Sequence, residues 1–154
     1  MSWCLFIMKI YKQLFWLTAI TFLLHFVWEN SQAPLYEGYS SFSQHLPICF
    51  WGVIGDTIFT LVVYLGIGLL KNDFQWLTKL GLYDIIVLAV IGFFAAIGIE
   101  WRALLFNRWT YVDAMPLLPY FQVGLIPVLQ MTLLLPLSFY LTSKLNKITT
   151  PRHT

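Results

Sequence analysis

CFWGVIGDTIFTLVVYLGIGLL, residues 49–70, holds a single charged side chain, Asp56, in a run long enough to cross a bilayer as a helix. A soluble helix of this length would carry a charged face, and this one has none. Three more runs read the same way, so spanning helices are expected at about 11–31, 49–70, 83–102 and 119–141. The whole chain of 154 residues fits that class. It is 59% hydrophobic and 10% charged, against about 25% charged in a soluble domain, and its mean hydropathy is +0.74. The expectation is an all-α, polytopic four-transmembrane-helix bundle, one integral membrane domain over residues 1–154.

Charge placement sets the expected orientation. Lys9 and Lys12 precede the first helix, Lys71 and Lys79 separate the second from the third, and Lys144, Lys147 and Arg152 follow the fourth. Only Arg102 and Arg108 fall on the opposite side. Positive charge favours the cytoplasm, so both termini are expected there, with loops 32–48 and 103–118 facing outward. A signal peptide is the competing reading of the N-terminus, since Ser31-Gln32-Ala33 loosely fits a cleavage site. Pro34 after the cut and Glu29 just before it favour a retained helix. The outward loops are rich in aromatic and turn-forming residues, which suits the headgroup level or a plain aromatic belt.

Asp56 raises a question that the other helices share. The first helix ends in HFVWEN, residues 25–30, where His25 and Glu29 are one turn apart on a face that Thr18 and Thr21 extend. Asp56 lies about 10 Å below the outer end of the second helix, at 1.5 Å per residue. Glu100 ends the third helix, and Gln122 and Gln130 lie in the first half of the fourth. Helix direction alternates, yet each helix puts its most polar residues in the same outer half. A charge at mid-bilayer costs about 2.5–3.5 kcal/mol, so such residues face the protein interior or a water-filled cavity. Small residues support this placement. Gly52, Asp56, Thr60, Tyr64 and Gly68 recur every four residues, as do Gly92, Ala96 and Glu100, a spacing that lets helices approach closely.

The candidate site is therefore a pocket with His25, Glu29, Asp56 and Glu100 as acid–base groups. Trp28, Arg102, Arg108, Trp109, Tyr111, Gln122 and Gln130 are the candidates for holding a substrate. Burial disfavours an ionised carboxylate and a nearby arginine favours it, so an acid and a base can coexist near neutral pH. A hydrogen-bonded His–Glu pair with a structural role fits the first helix equally well. One histidine with three carboxylates would also suit a hard cation, but no established metal spacing is present and no metal is expected. Gln130, one turn beyond Pro127, is expected to serve carbonyls freed by that proline. His45 is expected on the surface. Cys4 and Cys49 are expected near opposite membrane faces, too far apart for a disulfide, which needs Cα atoms within about 7 Å. No nucleotide-binding loop or nucleophile elbow occurs, and the sparse basic residues exclude a nucleic-acid partner.

Two stretches, HFVWENSQAPLYEG (25–38) and EWRALLFNRWTYVDAMPLLPYFQVGLIPVLQ (100–130), with GDT at 55–57 between them, together resemble a family of small bacterial inner-membrane proteins with no assigned activity. That resemblance implies four helices forming one functional unit. His25-x-x-x-Glu29 on a first helix, with acidic residues on later ones, is also similar in architecture to the EXPERA superfamily of sterol isomerases and sigma-2-type receptors. This likeness implies a pocket opening to lipid, with His25 and Glu29 as the matched pair and Asp56 or Glu100 as partner. The function expected is binding or modification of a lipid-like substrate, with membrane lipids as partners and the cofactor unspecified. Two alternatives are an accessory or assembly subunit of a larger membrane complex, and a small proton-coupled transporter. A homo-oligomer fits any of the three.

Overall fold

In the computed structural model residues 2–148 are described, with side chains from residue 7 to 147; Arg152 and the Cys4 thiol lie outside them. Four helices dominate: α1 (Ser2–Gln32), α2 (Phe42–Leu70), α3 (Leu82–Leu105) and α4 (Leu125–Ile148). All four are long and apolar enough to cross a membrane. The expected segments lie where the apolar runs place them, but α1 and α2 begin several residues earlier.

The fourth helix begins later than its sequence suggests. Leu117–Leu118 (β1) pairs antiparallel with Val123–Gly124 (β2), and α4 starts directly after. Pro119 and Gln122 therefore sit in a hairpin turn, where Tyr120 and Gln122 adopt positive φ. The Trp101 indole donates to the Phe121 carbonyl at 2.7 Å and fixes that turn against α3. Pro127 falls in the first turn of α4, where its missing N–H leaves no bond broken. Of the expected prolines only Pro136 is interior to the helix.

Two asparagines end helices in the same way. Asn72 and Asn107 take positive φ, and the next residues fold back on the helix, Asp73 N–H to the Gly68 carbonyl at 3.0 Å and Arg108 N–H to Ala103 at 2.9 Å. Asparagine tolerates that left-handed cap better than other non-glycine residues. At the start of α3 the Asp84 carboxylate reaches back to the Gly81 N–H at 3.1 Å.

The helices pack in the order α2–α1–α4–α3, and α2 and α3 barely touch. The bundle is thus open along one side. The connector between α2 and α3 explains the opening. Trp76 and Leu77 are buried, and Trp76 is stacked between Tyr64 on α2 and Phe139 on α4, with ring centroids 6.0 and 5.3 Å away. The Tyr64 hydroxyl lies 2.5 Å from the Phe74 carbonyl and 3.1 Å from Gln13 Oε1, so the connector is also tied to α1. Lys71 contacts Asp84 at 2.5 Å and clamps α2 to α3 at this end. Lys79 binds Asp73 at 3.0 Å; that hydrogen bond holds the Asp73 carboxyl below the usual range.

Against α4, α3 comes to backbone contact. A Cβ on Gly92 would lie 2.3 Å from the Met131 carbonyl oxygen, whereas nothing lies within 4 Å of one on Gly98. Gly92→Ala must push the two helices apart and should cost about 1–3 kcal/mol, as other overpacked sites do. Gly98→Ala should be neutral or stabilise by up to about 1 kcal/mol through helix propensity. Unfolding midpoints of the two variants in the same detergent check the contrast, and equal midpoints would refute the close approach.

Candidate functional site

The polar face of α1 is Thr21, His25, Glu29 and Gln32, successive positions on one side of the helix. His25 is fully buried, and its Nδ1 lies 2.7 Å from Asp56 Oδ2 on α2, so one proton is held between them. From α4, the Gln130 amide nitrogen lies 2.9 Å from Glu29 Oε1, 2.9 Å from Asp56 Oδ2 and 3.0 Å from His25 Nδ1. An amide has two N–H groups, and Nδ1 already shares a proton with Asp56, so Gln130 serves the two carboxylates. Gln32 completes the set, donating to Gln130 Oε1 at 2.7 Å and to Glu29 Oε1 at 3.1 Å. Gln130 is therefore not occupied with carbonyls near Pro127, as expected from sequence; it joins three helices. Gly52 on α2 makes the room, since a Cβ there would already touch the Glu29 carboxylate at 3.5 Å. Among the described residues, Gln32 Oε1, His25 Nε2 and Thr21 Oγ1 are buried without a hydrogen-bond partner.

A second pole forms around Glu100, which is 4% exposed. Its Oε2 accepts the Trp109 indole N–H at 3.2 Å and a very short hydrogen bond from the Tyr111 hydroxyl. That hydroxyl in turn accepts the Gly124 N–H at 3.1 Å, so the β-hairpin positions it. The two outward loops then join across the site. Tyr36 and Tyr111 form a β-bridge, Glu37 N–H donates to the Thr110 carbonyl at 3.0 Å, and Val112 N–H donates to Leu35 at 3.2 Å. The Thr110 hydroxyl donates to Glu37 Oε2 at 2.6 Å. Burial, and after it the nearby Glu100, raises the pKa of Tyr36 above the ordinary phenol range. Tyr111 is raised by burial and by the proton it gives to Glu100.

Both poles face one cavity of about 740 Å³ between α2, α3 and the joined loops. Glu29, Gln32, Asp56, Glu100 and Gln130 line its polar part, and Ile48, Trp51, Phe59 and Ile99 its apolar part. Among the residues singled out from sequence, Arg108 and Trp109 also line it. His25 stands one layer behind, acting through Asp56, and Tyr111 acts through Glu100. Trp28 is half-buried away from the cavity, and Arg102 and Gln122 are exposed outside it. Neither Arg102 nor Arg108 forms an ion pair among the described residues, so the carboxylates are not neutralised by arginine. His45 is not a plain surface residue; it is half-buried, lines the cavity and packs on Tyr39. Cys49 is buried and free. Among the described residues no three His, Cys, Asp or Glu side chains are arranged to hold a metal ion.

Sequence reading missed Gln32, Tyr36 and Glu37. Gln32 was visible as the next residue on the His25–Glu29 face. Tyr36 and Glu37 enter the site only through pairing with a distant loop, for which the sequence carries no local signal. No family model, curated protein or solved structure matches the chain.

Two outcomes follow. Gln130→Leu leaves Glu29 and Asp56 without their amide donor and should cost about 1–3 kcal/mol, the penalty of buried unsatisfied groups, read as a lower unfolding midpoint. Gln130→Leu as stable as wild type would show that the amide is not the link. The raised tyrosines bind their protons more tightly folded than unfolded, so their contribution is complete below about pH 10, the free phenol value. Stability should fall as pH rises beyond that, and Tyr111→Phe should flatten the fall in melting curves taken at increasing pH.

Proposed function

We propose that this chain is an integral protein of a bacterial inner membrane, with both termini in the cytoplasm, that binds a lipid-like amphiphile in the cavity between α2 and α3. The orientation rests on the lysines, which cluster at the ends of the helices remote from the cavity. The cavity then lies in the outer half of the bilayer, beneath the joined loops.

One observation carries the ligand reading. A cavity of about 740 Å³, within the usual range of small-molecule sites, is lined both by hydrogen-bond acceptors and by apolar side chains. Glu29, Asp56, Glu100 and the unpartnered Gln32 Oε1 all accept, and the lining holds two basic side chains, His45 and the exposed Arg108. Such a lining favours a headgroup bearing O–H or N–H groups over a phosphate. The apolar part suits a hydrocarbon tail. His25 and Asp56 hold a proton beside the ligand, which supports proton transfer to or from a bound headgroup as the accompanying chemistry.

A path through the molecule is disfavoured. Below the polar cluster, Leu17, Leu88, Leu135 and Phe139 pack with Tyr64, Trp76 and Leu77, and the buried hydroxyls of Thr60, Ser138 and Thr142 each bond a carbonyl of their own helix instead of one another. This argues for a binding protein or enzyme working on one side over a proton-coupled carrier.

Purified protein in nanodiscs, labelled with a photoactivatable monoacylglycerol, tests the reading. Competition by monoacylglycerol and by a long-chain amine is expected, with little from phosphatidic acid. Asp56→Asn replaces a carboxylate acceptor with an amide, lowers the melting temperature through the lost His25 partner, and should weaken labelling about tenfold or more at a temperature where the variant remains folded. Equal labelling of wild type and a folded Asp56→Asn, or equal competition by phosphatidic acid, would refute this assignment.

A further inference from the structure

The route by which a ligand enters follows from which walls of the cavity are closed. At the end away from the lysines, residues 35–37 and 110–112 cross over the cavity as a strap, held by Glu37–Thr110, Val112–Leu35 and the Thr110 hydroxyl bond to Glu37. Tyr36 packs edge-on against Trp109 and tilted against Tyr111, with centroids 6.2 and 5.6 Å away. Beside it Glu37, Asn107, Arg108 and Thr110 line the cavity and are exposed, so the strap covers that end without sealing it. Towards the lysine end, Trp76 and Leu77 fill the space and Lys71–Asp84 clamps α2 to α3. The α1 and α4 sides are packed helices. The flank between α2 and α3, in the span of both helices, has no such cover.

That flank is bordered by small residues where it meets the cavity. Gly52 and Gly55 on α2 and Ala96 on α3 line it, and Ile48, Trp51 and Ile99 stand exposed at its rim. Nothing lies within 4 Å of a Cβ built on Gly55, so the gap there is real space. Beyond it wait Asp56, Glu29 and the buried, unpartnered Gln32 Oε1.

We infer that the ligand enters sideways from the hydrocarbon layer, through the α2–α3 gap beside Gly55, while the strap stays paired across the end that faces water. This rests on the amphiphile reading above and adds a restriction to it. The ligand is membrane-resident and slender enough to pass a glycine-lined slot, with its polar group leading and its tail left between the helices. Gly55 is then the residue that sets which tails and ring systems pass.

Full-length protein in liposomes, with the photoactivatable monoacylglycerol already in the bilayer, separates the possibilities. Gly55→Leu and Gly55→Trp put bulk into the gap at a position where the first side-chain atom meets nothing within 4 Å, and Gly98→Trp adds the same bulk at an exposed α3 position outside the cavity. A doorway residue slows both labelling and release into competitor lipid; about tenfold for Gly55→Trp is expected, within the range that entry rates vary among mutants of one site. Gly98→Trp should stay close to wild type. In a background with Cys4 and Cys49 changed to serine, Glu37→Cys with Thr110→Cys locks the strap by a disulfide, and labelling should persist in the oxidised form. Faster release from the Gly55 variants would mean lost binding space instead of a blocked entrance and would overturn the inference. So would unchanged rates in those variants, or labelling that stops when the strap is locked and returns on reduction. Absence of labelling in wild type would overturn the amphiphile reading itself, a different result from any of these.

Discussion

One carboxamide ties the polar part of this molecule together. Gln130 on α4 supplies N–H groups to carboxylates from α1 and α2, and its oxygen takes a bond from Gln32. Buried between helices these groups have little water to fall back on, so most find their partners in the protein. Interhelical hydrogen bonds in bilayers contribute only about 0.6 kcal/mol each on average. Their collective effect is larger in geometry than in energy, because one planar amide fixes where Glu29, Asp56 and His25 stand relative to each other. Gly52 matters for the same reason, since Glu29 occupies space that a larger residue on α2 would take.

The second constraint acts from the other end. Four apolar helices joined by short loops would ordinarily close into a ring, each packed on two neighbours. Here the connector after α2 folds inward, and Trp76 stacks between Tyr64 on α2 and Phe139 on α4. The two helices are thus joined through Trp76 at the far end, while the Gln130 network holds α2 against α1 and α4 at the cavity. Trp76 and Gln130 act at opposite ends of the same open flank, one bridging α2 to α4 and the other keeping the polar wall in place.

Much of this was legible in the sequence because lipid imposes a simple rule on the chain. Apolar runs of spanning length mark the helices, and a charge inside such a run needs a protein partner, so Asp56, Glu29, His25 and Glu100 could be assigned to one half before any geometry. The four-residue spacing of Gly52, Asp56 and Thr60, and of Gly92, Ala96 and Glu100, marked the packed faces. What the sequence hid depends on tertiary context. PYFQVG is apolar enough to pass for the start of α4, yet Val123 and Gly124 pair with Leu117 and Leu118 instead. Gln122 and Arg102 have the right chemistry in the right half of the chain and still face outward, because side-chain direction at a helix end or turn is not set by composition. Trp76 lies in a short polar stretch between the second and third helices, and only the gap between Tyr64 and Phe139 gives it its role.

The two poles of the cavity differ in how they handle a proton, and that difference bears on what the site can do. At the first, His25 and Asp56 share a proton with Nε2 of the ring facing away from the cavity wall and unpartnered among the described residues. At the second, Tyr111 donates to Glu100 and is itself held in place by a backbone N–H. One pole is thus a base with a reserve position on its ring, and the other a carboxylate already supplied with two donors. Below them the buried residues are mixed, with Leu17, Leu135 and Phe139 packed together and Thr60, Ser138 and Thr142 buried at similar levels. Each of those hydroxyls donates its proton to a carbonyl of its own helix, so they do not form a chain with one another, and proton exchange at the cavity suits recognition or rearrangement of a headgroup in place better than vectorial transport.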